Sequence, residues 1–60
     1  MKKVNVKKLN HFFKSESNSI GMKNFVQQAV NVFMYQDEPN QTILVKAILF
    51  LTDLNLLVEE

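Results

Sequence analysis

The chain has 60 residues, a net charge of +1 and no cysteine. This length predicts a single domain over residues 1–60, and so small a domain buries only about 60% of the surface that its unfolded chain exposes. The absence of cysteine excludes the disulfide-stapled class of secreted proteins and any thiolate metal site. Oligomerisation is the remaining common way to stabilise such a core, so we expect a second chain, most simply in a homodimer.

The N-terminal segment is basic, but Lys7, Lys8 and Asn10 interrupt the apolar run that a secretory signal needs. The longest apolar stretch, Ile43–Leu51, contains Lys46 and is far shorter than the roughly 20 residues that span a bilayer. We therefore expect a cytoplasmic protein.

Charge is distributed unevenly along the chain. Residues 1–30 contain six lysines against Glu16 alone, whereas residues 31–60 contain Lys46 against five acidic residues. One interpretation is a basic arm that meets an anionic partner such as DNA; the other is attraction between the two ends, within one chain or across a dimer. Arginine, the usual bidentate reader of guanine, is absent, which disfavours sequence-specific DNA recognition. The candidate nucleic-acid contacts are Lys2, Lys3, Lys7 and Lys8.

The first element combines two patterns. Val4 and Val6 alternate with polar residues, which indicates a short strand over residues 3–7. Val6, Leu9 and Phe13 are spaced as on one helical face, which predicts a helix over residues 7–14. Residues 1–6 are then an extended, flexible basic arm. The Ser- and Asn-rich stretch 15–19 predicts a turn and a helix N-cap.

The second element is an amphipathic helix from Ser19 or Ile20 to Tyr35. Lys23 lies on its polar side, but the face formed by Asn24, Gln27, Gln28 and Asn31 is uncharged. Met34 and Tyr35 leave its apolar arc. These two either pack on the loop at Pro39 or are available to a partner. The apolar arc, about 160° wide, consists of Met22, Phe25, Val26, Ala29, Val30, Val32 and Phe33.

The third element is a helix from Pro39 or Asn40 to about Leu54, apolar nearly all round. Such a helix is buried nearly all round, so we expect Ile43–Leu51 to be covered on more than one side, with a second chain as the cover. A second apolar stripe, flanking Lys46 and Asp53, forms the surplus. The predicted protein interface is Met34, Tyr35, Val45, Leu49 and Leu56.

Asn55 is suited to a left-handed helix cap, after which residues 56–58 can extend. The predicted fold is all-α: a short N-terminal helix after an extended arm, then two longer helices packed as a hairpin, in a homodimer. The alternative is α+β, with a strand from residues 3–7 that pairs with a partner chain or with residues 56–58.

No residue pattern predicts chemistry. His11 has no orienting partner nearby in sequence, and Asp37 and Glu38 are best interpreted as stabilising the N-terminus of the following helix. We expect no catalytic residue, no metal, no cofactor and no small-molecule substrate.

Two resemblances are partial. The order of arm, helix, turn and helix resembles the ribbon–helix–helix repressors, with Val4, Asn5, Val6 and Lys7 as the ribbon. That resemblance implies a ribbon that pairs with its dimer mate and enters the DNA major groove, but residues 8–19 intervene before the long helix. Residues 47–59 resemble a winged-helix recognition helix entering its wing, but the wing itself is missing. Neither assigns the chain to a family.

The leading functional hypothesis is a small, non-enzymatic protein-binding regulator that acts through an apolar helical surface. Inhibitors, adaptors and antitoxin-like modules of phages and mobile elements are of this class. The second hypothesis is a dimeric DNA-binding transcriptional regulator that uses the Lys-rich arm. The third is a membrane-active helical peptide, which the low net charge and the missing tryptophan disfavour.

Overall fold

The computed structural model describes residues 1–35 and 41–59. The elements in chain order are β1 (Lys2–Val4), α1 (Val6–Lys14), α2 (Ile20–Tyr35), α3 (Gln41–Asp53) and β2 (Leu57–Glu59). The three predicted helices and the helical hairpin are confirmed. The all-α class is wrong in one respect, because the first and last elements are strands. Within the described ranges, none of the helices combines the length and the apolarity that crossing a bilayer requires.

β1 and β2 form a two-stranded antiparallel sheet in which Lys2 faces Glu59, Lys3 faces Val58 and Val4 faces Leu57. The backbone N–H of Asn5 extends the pairing by donating to the carbonyl of Leu56 at 2.8 Å. The predicted alternative, a strand near residues 3–7 paired with 56–58, is therefore present within one chain. The pairing also differs from that of a ribbon–helix–helix protein, whose ribbon pairs with the dimer mate. Residues 1–6 are not a free arm.

Asn5 determines where the strand ends and α1 begins. Its side-chain oxygen accepts from the backbone N–H of Lys8 at 3.1 Å, so Asn5 is the N-cap of α1. Val6 consequently belongs to the helix and not to the strand. At the other end of α1, the Asn18 side-chain amide donates to the carbonyl of Phe12 at 3.2 Å. This bond satisfies one of the free carbonyl groups of the last turn.

α2 begins where Ser19 accepts from the backbone N–H of Met22 at 3.1 Å, which confirms the N-cap expected in the Ser- and Asn-rich turn. α2 and α3 pack against each other as an antiparallel pair, with Phe25 beside Phe50 near one end. The predicted start of the third helix at Pro39 or Asn40 lies outside the described residues. The buried core is formed by Val26, Ala29, Val30, Ala47, Leu51 and Leu56.

α3 ends in a left-handed cap at Asn55, whose φ is 60°. The N–H of Asn55 donates to the carbonyl of Thr52, and the N–H of Leu56 donates to that of Leu51, both at 2.9 Å. These two bonds define a Schellman motif, in which the residue after the cap packs back on the last turn. Leu56 and Leu51 accordingly both lie in the core. The predicted cap at Asn55 is confirmed.

Candidate protein-binding surface

The structure divides the predicted interface residues into two groups. Met34, Tyr35, Val45 and Leu49 are exposed on the described chain, with exposed fractions from 49% to 68%. Leu56 is only 3% exposed, because the helix ends before it and the Schellman turn directs it into the core. The prediction for Leu56 assumed that the helix continues through this residue, but α3 ends at Asp53. Leu56 is therefore not available to a partner.

The described residues bury the Ile43–Leu51 segment on one side and leave its other side exposed. Ala47 and Leu51 are buried against α2, whereas Ile43, Val45 and Leu49 are each about half exposed. Among the described residues, the expected burial of this segment on more than one side is not found, and the predicted cover by a second chain stays a prediction.

An open apolar groove runs between α2 and α3; we call it the α2–α3 groove. Its volume is about 180 Å³. Pockets for drug-sized ligands are larger, at roughly 300–1,000 Å³. It is lined by Phe25, Gln28, Ala29, Val32, Ile43, Lys46, Ala47 and Phe50.

Phe25 is the central residue of this surface. Its ring lies 4.9 Å from that of Phe50, at an angle of 59°, and its side chain is 60% exposed. A second depression, lined in part by Met22 and Gly21, continues the apolar surface past Phe25 and Phe50 toward the start of α2. The exposed surface thus includes Met22, Phe25 and Ile43 together with the partly buried Phe50.

Phe25 and Met22 were not among the predicted interface residues, because the apolar arc of an amphipathic helix ordinarily faces the core. Each lies within the apolar arc of α2, but the molecule is only 17 Å across its shortest dimension. The other elements, α3, the short α1 and the small sheet, leave part of the 160° arc uncovered, since Met22 and Phe25 remain 40% and 60% exposed. Phe25 lies close to the edge of that arc, next to Val32. This edge position was the one feature of the sequence that indicated its exposure.

A separate apolar surface lies on the outward side of α3. Val45 and Leu49 form it, and we call them the outer stripe. By helical spacing Lys46 projects between the outer stripe and the α2–α3 groove, and it lines both the groove and a shallow depression beside Val45. The two apolar surfaces of α3 are therefore distinct.

The four lysines proposed as nucleic-acid contacts do not share one surface. Lys2 donates to the Thr52 hydroxyl at 3.2 Å and faces Glu59 across the sheet, while Lys3 points to the opposite face of the strand. Lys7 and Lys8 are exposed on α1, about 100° apart around its axis. Part of the basic N-terminus thus meets the acidic C-terminus of the same chain, as one of the two charge interpretations expected.

A different basic surface is present on α1. Lys7, His11 and Lys14 follow the spacing i, i+4, i+7 and are all exposed, so they form one solvent face of the helix. α1 contains no acidic residue. His11, for which the sequence offers no orienting partner, lies on this face, and the sequence spacing alone would have identified the face.

Residues 1–35 and 41–59 contain no group of three His, Cys, Asp or Glu side chains that is arranged to hold a metal ion. Comparison of the chain with protein-family models, with curated proteins and with solved structures gives no match.

Proposed function

We propose that this chain is a small, non-enzymatic protein-binding regulator, of the inhibitor, adaptor or antitoxin-like kind, and that the α2–α3 groove is its binding surface. The observation that carries the proposal is the exposure of Phe25. A phenylalanine that is 60% exposed, in tilted contact with a second ring and placed in an apolar groove, is costly to leave in water. Burial under a partner removes this cost.

The composition of the groove supports a protein partner. Binding energy at protein interfaces is concentrated in a few well-packed anchors, many of them aromatic, and charged residues are depleted at the centre of such interfaces. Phe25 and Phe50 provide the aromatic anchors, and Gln28 and the neighbouring polar face of α2 are uncharged. Among the described residues that line the groove, Lys46 alone is charged.

The shape of the groove favours one kind of ligand. The groove between two antiparallel helices is straight. An amphipathic helix of the partner can place its apolar side chains at positions i, i+3, i+4 and i+7 into such a groove. We therefore propose that the partner contributes an amphipathic helix, so that the complex contains a third helix laid along α2 and α3.

Site-specific photo-crosslinking tests this proposal in cells of the organism whose genome encodes the protein. A photoreactive phenylalanine analogue at position 25 is expected to give a discrete adduct with another protein. The same analogue at position 27 is the matched control, because Gln27 is exposed on the opposite side of α2. Equal adducts from both positions, no adduct from position 25, or only an adduct of twice the 7.0 kDa chain mass would contradict the proposal.

A second candidate, an anion-binding or DNA-binding role, is favoured by the exposed Lys7, His11 and Lys14 face of α1. The affinity for duplex DNA would then fall steeply with salt, because phosphate contacts release counterions. Reversing the charge of Lys7 and Lys14 together should reduce the slope of log affinity against log salt by about two. Reversal of Lys23, a half-buried lysine on α2, is the control. An unchanged slope after the Lys7 and Lys14 reversal would rule this role out.

A further inference from the structure

The outer stripe of α3 carries a charge pattern that is complementary to itself. Lys46 and Asp53 are seven residues apart, so they project from nearly the same side of the helix, next to Val45 and Leu49. Both charged side chains are exposed, and neither forms an ion pair with another residue of the described chain. An apolar stripe is thus bordered by a positive charge at one end and a negative charge at the other.

The spacing has a definite geometric consequence for a pair of α3 helices. At 1.5 Å rise per residue, Lys46 and Asp53 are about 10.5 Å apart along the helix axis. Their midpoint lies between residues 49 and 50, at the level of Leu49. A two-fold axis through this point brings Lys46 of each copy level with Asp53 of the other, and it places the two Leu49 side chains together at the centre.

We infer that a second copy of this chain docks on the outer stripe, with the two α3 helices antiparallel about a two-fold axis through Leu49. The occupant is decided by charge complementarity: the antiparallel arrangement forms two Lys46–Asp53 pairs. A parallel arrangement would bring no Lys46 level with an Asp53, so it would form neither pair. Such an isologous contact is the commonest symmetry of soluble homo-oligomers.

The small size of the surface favours a weak association. Stable protein interfaces bury about 1,200–2,000 Å² in total, and one helix face with two apolar residues provides less. We expect a reversible monomer–dimer equilibrium that depends on protein concentration and weakens at high salt, since the flanking charges are solvent-exposed. The contact uses a different side of α3 from the α2–α3 groove and shares only Lys46 with it, so a failure of the self-association test would leave the proposed function standing.

Charge reversal tests the arrangement directly by sedimentation equilibrium. The Lys46→Glu variant sets two negative charges together in each of the two pairs, and the Asp53→Lys variant sets two positive charges together. Each variant alone should weaken self-association by about tenfold at low salt, because each of two exposed pairs changes from attraction to repulsion. An equimolar mixture of the two variants should associate as tightly as the wild type, since both pairs in the heterodimer are then attractive.

Two further variants complete the test. Leu49→Asp should abolish self-association, because it places two carboxylates at the centre of the contact. Gln27→Glu, an added charge on the far side of α2, should leave it unchanged. A wild-type chain that stays monomeric at millimolar concentration would overturn the inference. It would equally be overturned if either charge reversal left self-association unaffected, or if the mixture failed to restore it.

Discussion

Replacement of Leu51 by alanine measures how far the fold depends on the contact between α2 and α3. Leu51 is fully buried, and the substitution removes three carbon atoms from the core. At about 0.8 kcal/mol per buried methylene the transfer loss is about 2.4 kcal/mol, and the cavity left behind brings the total to about 3–4 kcal/mol. A domain of this size has a free energy of unfolding of about 3–9 kcal/mol. The variant should therefore lose a large part of its stability.

Leu49→Ala is the matched control, since it makes the same substitution on the same helix. Leu49 is 58% exposed, so less than half of its surface is buried, whereas all of the Leu51 surface is. Its truncation therefore loses less buried apolar area and leaves no enclosed cavity. We expect a loss of no more than about 1 kcal/mol, partly offset by the higher helix propensity of alanine. A third variant, Leu51→Met, conserves volume and should lie between the two, below about 1.5 kcal/mol.

Urea denaturation followed by far-UV circular dichroism is the assay. Protein concentration should be low, so that self-association does not contribute. With a slope near 1 kcal/mol per molar urea for a small domain, Leu51→Ala should lower the unfolding midpoint by roughly 3 M. If Leu51→Ala and Leu49→Ala were equally destabilising, Leu51 would not be the centre of the core and the packing of α3 on α2 would be wrong.

Two smaller predictions concern the ends of helices, and both are measured by the same urea titration. Asn5→Ala should cost about 1 kcal/mol, because the N–H of Lys8 loses its capping acceptor; an unchanged midpoint would show that Asn5 does not fix the start of α1. Asn55→Ala should destabilise by about 1 kcal/mol, because φ at this position is positive, whereas Asn55→Gly should be neutral or stabilising. Equal effects of alanine and glycine at position 55 would contradict the left-handed cap.

The helices were predictable because their signals are local. Apolar spacing and the capping chemistry of Ser19 and Asn55 lie within a few residues of the helix ends that they determine. Predicted and observed bounds accordingly agree within a residue for α1 and α2, and within a residue for the end of α3. The start of α3 was placed on residues that the structure does not describe.

The sheet was predictable only as an alternative, because pairing between residues 2–4 and 57–59 depends on contacts across the whole chain. Three-residue strands carry too little pattern to choose between a partner chain and the same chain. The boundary at Asn5 was missed for a different reason: Val6 fits both a strand and a helix by spacing, and the cap decides between them.

Exposure of the apolar residues is the part of the candidate site that the sequence could not provide. A helical wheel shows which residues share a side, but not how many neighbours cover that side. Phe25 was expected in the core and is exposed, while Leu56 was expected at a surface and is buried. Both errors arise from tertiary structure: too few layers to cover α2, and a chain reversal directly after α3.

Lys46 separates the two proposed binding surfaces of α3. Its side chain lies between the groove that contains Phe25 and the outer stripe that contains Leu49, so no continuous apolar surface joins them. Because the surfaces face different directions, one chain can hold a second copy on the outer stripe while each groove stays open. A dimer of this kind would present two equivalent grooves, and a partner with two binding helices would then be held with higher avidity than a single groove allows.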